Sequence, residues 1–144
     1  MRGGTANCSV VVSDEPIGTP IVEQPSVLVA MNGKSLDKFG PITQKGGVIL
    51  LNSSLVDDRL GRKDLTVYEI PVNDIAQEIG NSRTANMVML GAVAAVCGDM
   101  VSKESVLNQV RDFFAKRYPD KPKMAEINCA AAEKGFSFLT ELRG

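Results

Sequence analysis

Ser26-Val27-Leu28-Val29-Ala30-Met31 and, sixteen residues further on, Gly47-Val48-Ile49-Leu50-Leu51-Asn52 decide the fold. Each run is apolar at nearly every position and is closed by polar residues or glycine. A strand with one wetted face alternates apolar and polar side chains, whereas an unbroken apolar run of this length marks a strand covered on both faces. Between the runs, Ser35 to Phe39 predicts a short helix with Leu36 and Phe39 on one face, stopped by Gly40-Pro41. The unit is strand, helix, strand, as in the centre of an α/β sheet.

Outward from this unit, valine-rich Cys8 to Ser13 reads as a strand, followed by a reversal at Asp14-Glu15-Pro16-Ile17-Gly18 and a short return strand starting at Ile21 and Val22. Leu65 to Ile70 alternates and predicts a further, less buried strand. After Pro71, Asn73 caps a predicted helix carrying Ile75, Ala76 and Ile79, with Gly80 as its stop. Asn86 to Cys97 is apolar almost all round and predicts a deeply buried helix. Ser102 caps an amphipathic helix bearing Val106, Leu107, Val110, Phe113 and Phe114, ended by Pro119. A last helix starts between Asp120 and Pro122, turns Met124, Ile127 and Ala131 inward, and is stopped by Gly135 before a tail running from Phe136 to Gly144. The early reversal is too short for a parallel crossover, so the expected fold is one three-layer α/β/α domain over residues 1–144 with a mixed sheet.

Composition narrows the function classes. The 144 residues are 44% hydrophobic and 23% charged, the usage of an ordinary folded domain. Sixteen basic residues against seventeen acidic ones leave a formal net charge of -1, without the Lys/Arg excess that a phosphate backbone demands, so no nucleic-acid partner is expected. The longest apolar stretch, Met87 to Cys97, falls short of the about 20 residues a membrane span takes, and the opening Met1-Arg2-Gly3-Gly4-Thr5 lacks the apolar core of a signal peptide. With Cys8, Cys97 and Cys129 far apart and odd in number, the expectation is a cytoplasmic protein with no membrane association. The absence of histidine removes the usual neutral-pH base and the commonest metal ligand, and no C-x-x-C pair occurs. No catalytic residue and no metal site are expected on this chain. Cys97 and Cys129 read as core packing, and Cys8 as packing at a strand start or, if exposed beside Arg2, as a reactive thiol.

Three polar loops are candidate binding sites. In the first, Arg2, Gly3, Gly4, Thr5 and Asn7 combine a cation, short polar side chains and glycines that let backbone amides approach a phosphate or pyrophosphate. It is neither G-x-G-x-x-G nor a Walker loop, and it precedes a strand instead of opening a helix. In the second, Asn81 to Asn86, the positive end of the buried helix favours an anion near Arg83 and Asn86; equally, Thr84 or Asn86 simply caps the helix with Arg83 in solvent. The third, Asn52 and Ser53 with Ser54, ends an apolar strand where ligands gather in open α/β sheets, or is an ordinary turn.

Taken in order, Arg2-Gly3-Gly4-Thr5-Ala6-Asn7-Cys8, Asp14-Glu15-Pro16-Ile17, Ala30-Met31-Asn32 with Ser35-Leu36-Asp37-Lys38-Phe39, Asn52-Ser53-Ser54 and Ala85-Asn86-Met87-Val88-Met89-Leu90-Gly91-Ala92 resemble the gamma subunit of 2-oxoacid:ferredoxin oxidoreductases. The Gly-Gly-Thr-Ala-Asn-Cys form looks more like that of 2-oxoglutarate enzymes than that of pyruvate enzymes. The resemblance implies the fold of domain III of pyruvate:ferredoxin oxidoreductase. The family carries a glycine-rich strand-helix unit ahead of this point, so the chain is expected to lack that unit.

By the same resemblance, the complex oxidatively decarboxylates a 2-oxoacid, reduces ferredoxin and releases an acyl-CoA. Thiamine diphosphate and 4Fe-4S clusters would be held by other chains: alpha and beta catalytic subunits and a ferredoxin-like delta subunit. The gamma chain would bind no cofactor alone, would be inactive alone, could self-associate when isolated, and would face its partners or CoA with the loop from Arg2 to Asn7. A free-standing nucleotide- or CoA-binding α/β module and a purely structural assembly subunit are the alternatives.

Overall fold

The computed structural model of the protein describes residues 7–58 and 60–143. Strands β1 (Val27–Ala30), β2 (Val48–Asn52) and β3 (Thr66–Ile70) form a sheet in that order, and both pairs are parallel. Val27 stands opposite Val48, and Val48 opposite Thr66, so the carboxyl ends of all three strands emerge at one edge. Helix α1 (Gly33–Phe39) returns the chain from β1 to β2, the crossover that parallel pairing requires. It begins where Asn32 Oδ1 accepts a hydrogen bond from the Ser35 amide at 2.9 Å.

The pleat explains the uninterrupted apolar runs. Successive side chains of β2 point to opposite faces. Ile49 and Leu51 pack with Ala30, with Leu36 of α1 and with Val56. Leu50 packs on the other side with Ile70 and with three helices: α2 (Val72–Ile79), α3 (Ala85–Val96) and α5 (Pro122–Arg143). Ile49, Leu50 and Leu51 are all fully buried, as a central strand between two covered faces must be. The architecture is three-layer α/β, as expected. Helix α4 (Lys103–Arg117) lies outside, against α5, started by Ser102 Oγ accepting from the Ser105 amide at 3.1 Å.

Several sequence expectations are corrected. The sheet is not mixed: its three strands are parallel among the described residues. Cys8 to Ser13 forms no strand, nor do Ile21 and Val22, and Val10 and Val12 are 77% and 69% exposed. Strand propensity expresses packing on a neighbouring strand, and these valines have no such neighbour among the described residues. Cys8 is correspondingly exposed rather than packed. Helix α2 starts one residue before Asn73, which frees that side chain for another role described below. Gly80, at φ 98°, does end α2 in the left-handed conformation.

Gly135 is not a stop. Helix α5 runs straight through it to Arg143, because the glycine serves as a contact point with α3. A Cβ built on Gly135 would stand 1.7 Å from the Val88 carbonyl oxygen, and one on Gly91 would stand 1.8 Å from that of Ala132. The two helices therefore meet backbone to backbone, with Ala92 and Ala131 buried in the same core. Small residues are needed on both sides of so close a crossing.

On the opposite side, Arg62 ties two connections together. Its Nη1 donates to the carbonyl oxygens of Gly40 at 3.1 Å and Thr43 at 2.8 Å, while its guanidinium pairs with Asp64. The adjacent guanidinium holds the Asp64 carboxyl below its ordinary pKa.

Candidate functional site

The carboxyl edge of the sheet is the concave, ligand-accepting edge of open α/β folds. Here it is organised by Asn52, the last residue of β2 and 1% exposed. Its Nδ2 donates to the Met31 carbonyl at 3.2 Å, just beyond β1, and to Asn73 Oδ1 at 2.8 Å, in the first turn of α2 after β3. Its Oδ1 accepts from the Ser54 amide at 3.2 Å. One side chain thus joins the ends of all three strands. The next connection repeats the pattern, with Ser54 Oγ accepting from the Asp74 amide at 3.2 Å and the Ser53 amide donating to the Ile70 carbonyl at 3.0 Å.

Both amide hydrogens of Asn52 are committed, so it holds the edge in shape and does not itself offer a donor to a ligand. Ser53, beside it and half-buried, has no hydrogen-bond partner for its hydroxyl among the described residues. With no histidine in the chain, this edge supplies amides and hydroxyls for hydrogen bonding and no neutral-pH base for proton transfer.

The second loop lies at the far end of α2, whose eight residues span about 12 Å. Asn81 Oδ1 accepts from the Arg83 amide at 3.0 Å, opening a 3-10 turn over Ser82–Thr84 that leads into α3. Thr84, 1% exposed, donates its hydroxyl to the Asn81 carbonyl at 2.7 Å. Arg83 and Asn86 are exposed, and Asn86 Oδ1 accepts only from the Met87 amide at 3.0 Å. The polar groups here are largely spent on starting the helix. The structure thus places Asn52 and Ser53 at one end of α2, and Arg83 and Asn86 at the other. Asn7 is exposed in irregular chain ahead of β1, while Arg2, Gly3, Gly4 and Thr5 lie outside the described residues.

Asn73 is the site residue that sequence reasoning misplaced. Its spacing after Pro71 reads as a cap, and only the three-dimensional register of β2 against β3 reveals the partner it serves. Asn32, within the Ala30-Met31-Asn32 motif, caps α1, a role that an Asn directly before a short helical stretch signals on its own.

The cysteines differ in environment. Cys129 is buried and its thiol donates to the Leu107 carbonyl at 3.6 Å; burial pushes its pKa up. Burial, followed by the neighbouring Asp99 carboxylate, pushes Cys97 up as well. A raised pKa leaves less of the reactive thiolate, so brief iodoacetamide treatment at about pH 7.5 is expected to modify Cys8 first, with Cys97 and Cys129 reacting only as the pH rises or the chain unfolds. Peptide mass spectrometry checks the order; earlier labelling of Cys129 would contradict it. Among the described residues no group of three or more His, Cys, Asp or Glu could hold a metal ion.

Comparison with known proteins then places this geometry. The family described as pyruvate ferredoxin/flavodoxin oxidoreductase matches residues 1–138. The chain is 38% identical to 2-oxoglutarate synthase subunit KorC of Methanocaldococcus jannaschii, over 98% of this chain and 73% of that protein. It is 37% identical to ketoisovalerate oxidoreductase subunit VorA of Methanothermobacter marburgensis, over 93% of this chain and 27% of that protein. The chain thus spans about a quarter of the length of that VorA relative. Among solved structures, the gamma subunit of keto/oxoacid ferredoxin oxidoreductase from Geobacter sulfurreducens superposes with a TM-score of 0.68 at 29% identity, covering 81% of this chain and 64% of that one.

Proposed function

Since the chain belongs to the pyruvate ferredoxin/flavodoxin oxidoreductase family, we propose that it is the gamma-type subunit of a multi-subunit, cytoplasmic 2-oxoacid:ferredoxin oxidoreductase. Residues 1–144 act as a single gamma-type domain in this reading. The assembled enzyme takes a 2-oxoacid, CoA and two oxidised ferredoxins to an acyl-CoA, carbon dioxide, two reduced ferredoxins and a proton. The observation that carries the reading is the 38% identity to KorC over nearly the whole chain and 73% of that relative. The same match favours 2-oxoglutarate, because the VorA match of similar identity spans only 27% of its relative.

Thiamine diphosphate and 4Fe-4S clusters supply the decarboxylation and the electron path when bound in the complex. Among the described residues no set of side chains fits either cluster or metal chemistry. One cysteine is exposed, one half-buried and one buried, on separate segments, whereas a cluster needs several thiolates converging. Alpha and beta catalytic subunits and a ferredoxin-like delta subunit would hold those groups. The part of this chain is assembly and recognition. Arg2 would contact a phosphate of CoA, the amides of Gly3 and Gly4 and the side chains of Thr5 and Asn7 would complete the cradle, and Ser53, Arg83 and Asn86 would be weaker polar contacts. Asn52 would position Ser53. Among the described residues no helix is long and apolar enough to cross a membrane.

The test is co-expression with neighbouring reading frames, purification through a tag on this chain, and assay for thiamine diphosphate, iron and CoA-dependent ferredoxin reduction. Co-purified activity is expected. A partner-free chain lacking all three would sink the reading and favour a free-standing binding module. In the active complex, Arg2→Ala is expected to raise the KM for CoA about 10-fold, the worth of one charged hydrogen bond to phosphate. An unchanged KM removes Arg2 from the site.

A further inference from the structure

Lys116, Arg117, Lys121 and Lys123 fall within one short stretch, with Asp120 the only acid among them, in a chain whose formal net charge is -1. The stretch ends α4, turns through Tyr118 to Lys121 and begins α5. None of the four cations forms an ion pair among the described residues; Arg117 lies over the Tyr118 ring, 6.0 Å from its centroid.

Two grooves open on this corner. One, of about 450 Å³, is lined by Asp120, Lys121, Pro122, Lys123, Met124 and Ile127 together with Asn81. The other, of about 330 Å³, is lined by Phe113, Lys116 and Arg117 together with Gln109 and Asp112. Phe113 is 58% exposed although its ring packs edge-on against Phe114, at 5.2 Å between centroids. The amphipathic pattern of α4 predicts Phe113 inward. Only Val110 of this helix is buried, because α4 packs mainly on α5 and the apolar stripe is wider than the surface that covers it.

Exposed apolar side chains set among charged ones are typical of a protein interface, and here four of the charged residues are cations. We infer that the α4–α5 corner docks an acidic surface of a partner subunit, which places carboxylates against Lys116, Arg117, Lys121 and Lys123 and apolar side chains in the two grooves. This rests on the chain working as a subunit. A membrane or nucleic acid fits less well. Asp112 and Asp120 stand among the cations, and a partner protein can set a donor opposite each of them and carboxylates opposite the lysines and the arginine, a mixed pattern that a uniform array of phosphates cannot match.

The test titrates the full chain onto the co-expressed remaining subunits. The quadruple reversal of Lys116, Arg117, Lys121 and Lys123 to Glu is expected to weaken binding at least about 30-fold, Phe113→Ala about 10-fold, and the control pair Lys45→Glu and Lys63→Glu less than about 2-fold. Raising the salt should weaken the wild type but barely alter the quadruple variant. All four positions are at the surface, so an unchanged Tm identifies the loss as one of docking. If the wild type binds and the quadruple variant binds equally well, the corner is not the interface and only this inference fails. If the wild type does not bind the other subunits, both this inference and the subunit reading fail. Binding to phosphatidylserine vesicles that the reversal abolishes, with subunit binding intact, would assign the corner to a membrane and overturn the inference.

Discussion

Gly135→Ala is expected to destabilise the protein by about 3 kcal/mol, lowering Tm by roughly 10 °C, despite replacing glycine with the best helix former. In an exposed helix interior the same change would stabilise by about 1 kcal/mol through backbone entropy alone. Here the new methyl carbon would lie 1.7 Å from the Val88 carbonyl oxygen, and the obstacle is backbone, which cannot rotate aside like a side chain. Helices α3 and α5 must separate by more than 1 Å at their crossing, loosening Val88, Ala92, Ala131 and Leu139 together. Gly91→Ala meets the Ala132 carbonyl oxygen at 1.8 Å and should behave alike, while the double variant should cost less than the sum, because one separation accommodates both methyl groups. Gly98→Ala, whose nearest obstacle is the Ala95 carbonyl oxygen at 3.6 Å, is the control. Thermal unfolding of the four proteins decides the matter, and a neutral Gly135→Ala would show that the crossing is looser than described.

Asn52→Leu is the second large effect. It fills a similar volume but leaves the Met31 carbonyl, Asn73 Oδ1 and the Ser54 amide without their partner. Each stranded group costs about 1–3 kcal/mol when buried, and with Asn73 near the surface able to turn toward water the expected total is about 3–4 kcal/mol. Asn52→Asp separates donor loss from shape. It keeps the acceptor for Ser54 but sets carboxylate oxygens against the Met31 carbonyl and buries a charge. Such a carboxyl has a folded-state pKa above its unfolded value, so the penalty is present at pH above the folded value and is relieved as pH falls through it, fully so by the unfolded value, where the protonated form can donate again. Denaturant unfolding at about pH 7 and about pH 5 should therefore show the Asp variant recovering stability relative to wild type on acidification. A pH-independent difference would mean that water reaches the site.

The legible features were those whose cause is local. Strand β2 shows as an unbroken apolar run because both its faces are covered, whereas the same pattern overstates β1, an edge strand among the described residues whose Val29 is 37% exposed; Ser102 and Gly80 mark helix ends through capping chemistry that needs no partner elsewhere. What the sequence hid depends on neighbours. Gly135 looks like a stop unless the carbonyl of Val88, far away along the chain, is known to lie against it. Asn52 is recognisable as a polar strand end, but its bonds to Met31 and Asn73 require the parallel register of all three strands. Cys8 to Ser13 carries strand-forming residues without a strand beside it, and the stripe on α4 outruns the surface of α5 that could cover it.

The paired glycine contacts also have a mechanical meaning. With carbonyl oxygens seated against alpha-carbons at Gly91 and Gly135, α3 and α5 cannot slide or roll past one another without a collision, and together they act as a stiff lever. Leu50 and Ile70 of the sheet share one core with Val88, Ala92, Ala131 and Leu139 of the two helices, so any shift of that crossing would have to be accommodated at the sheet as well.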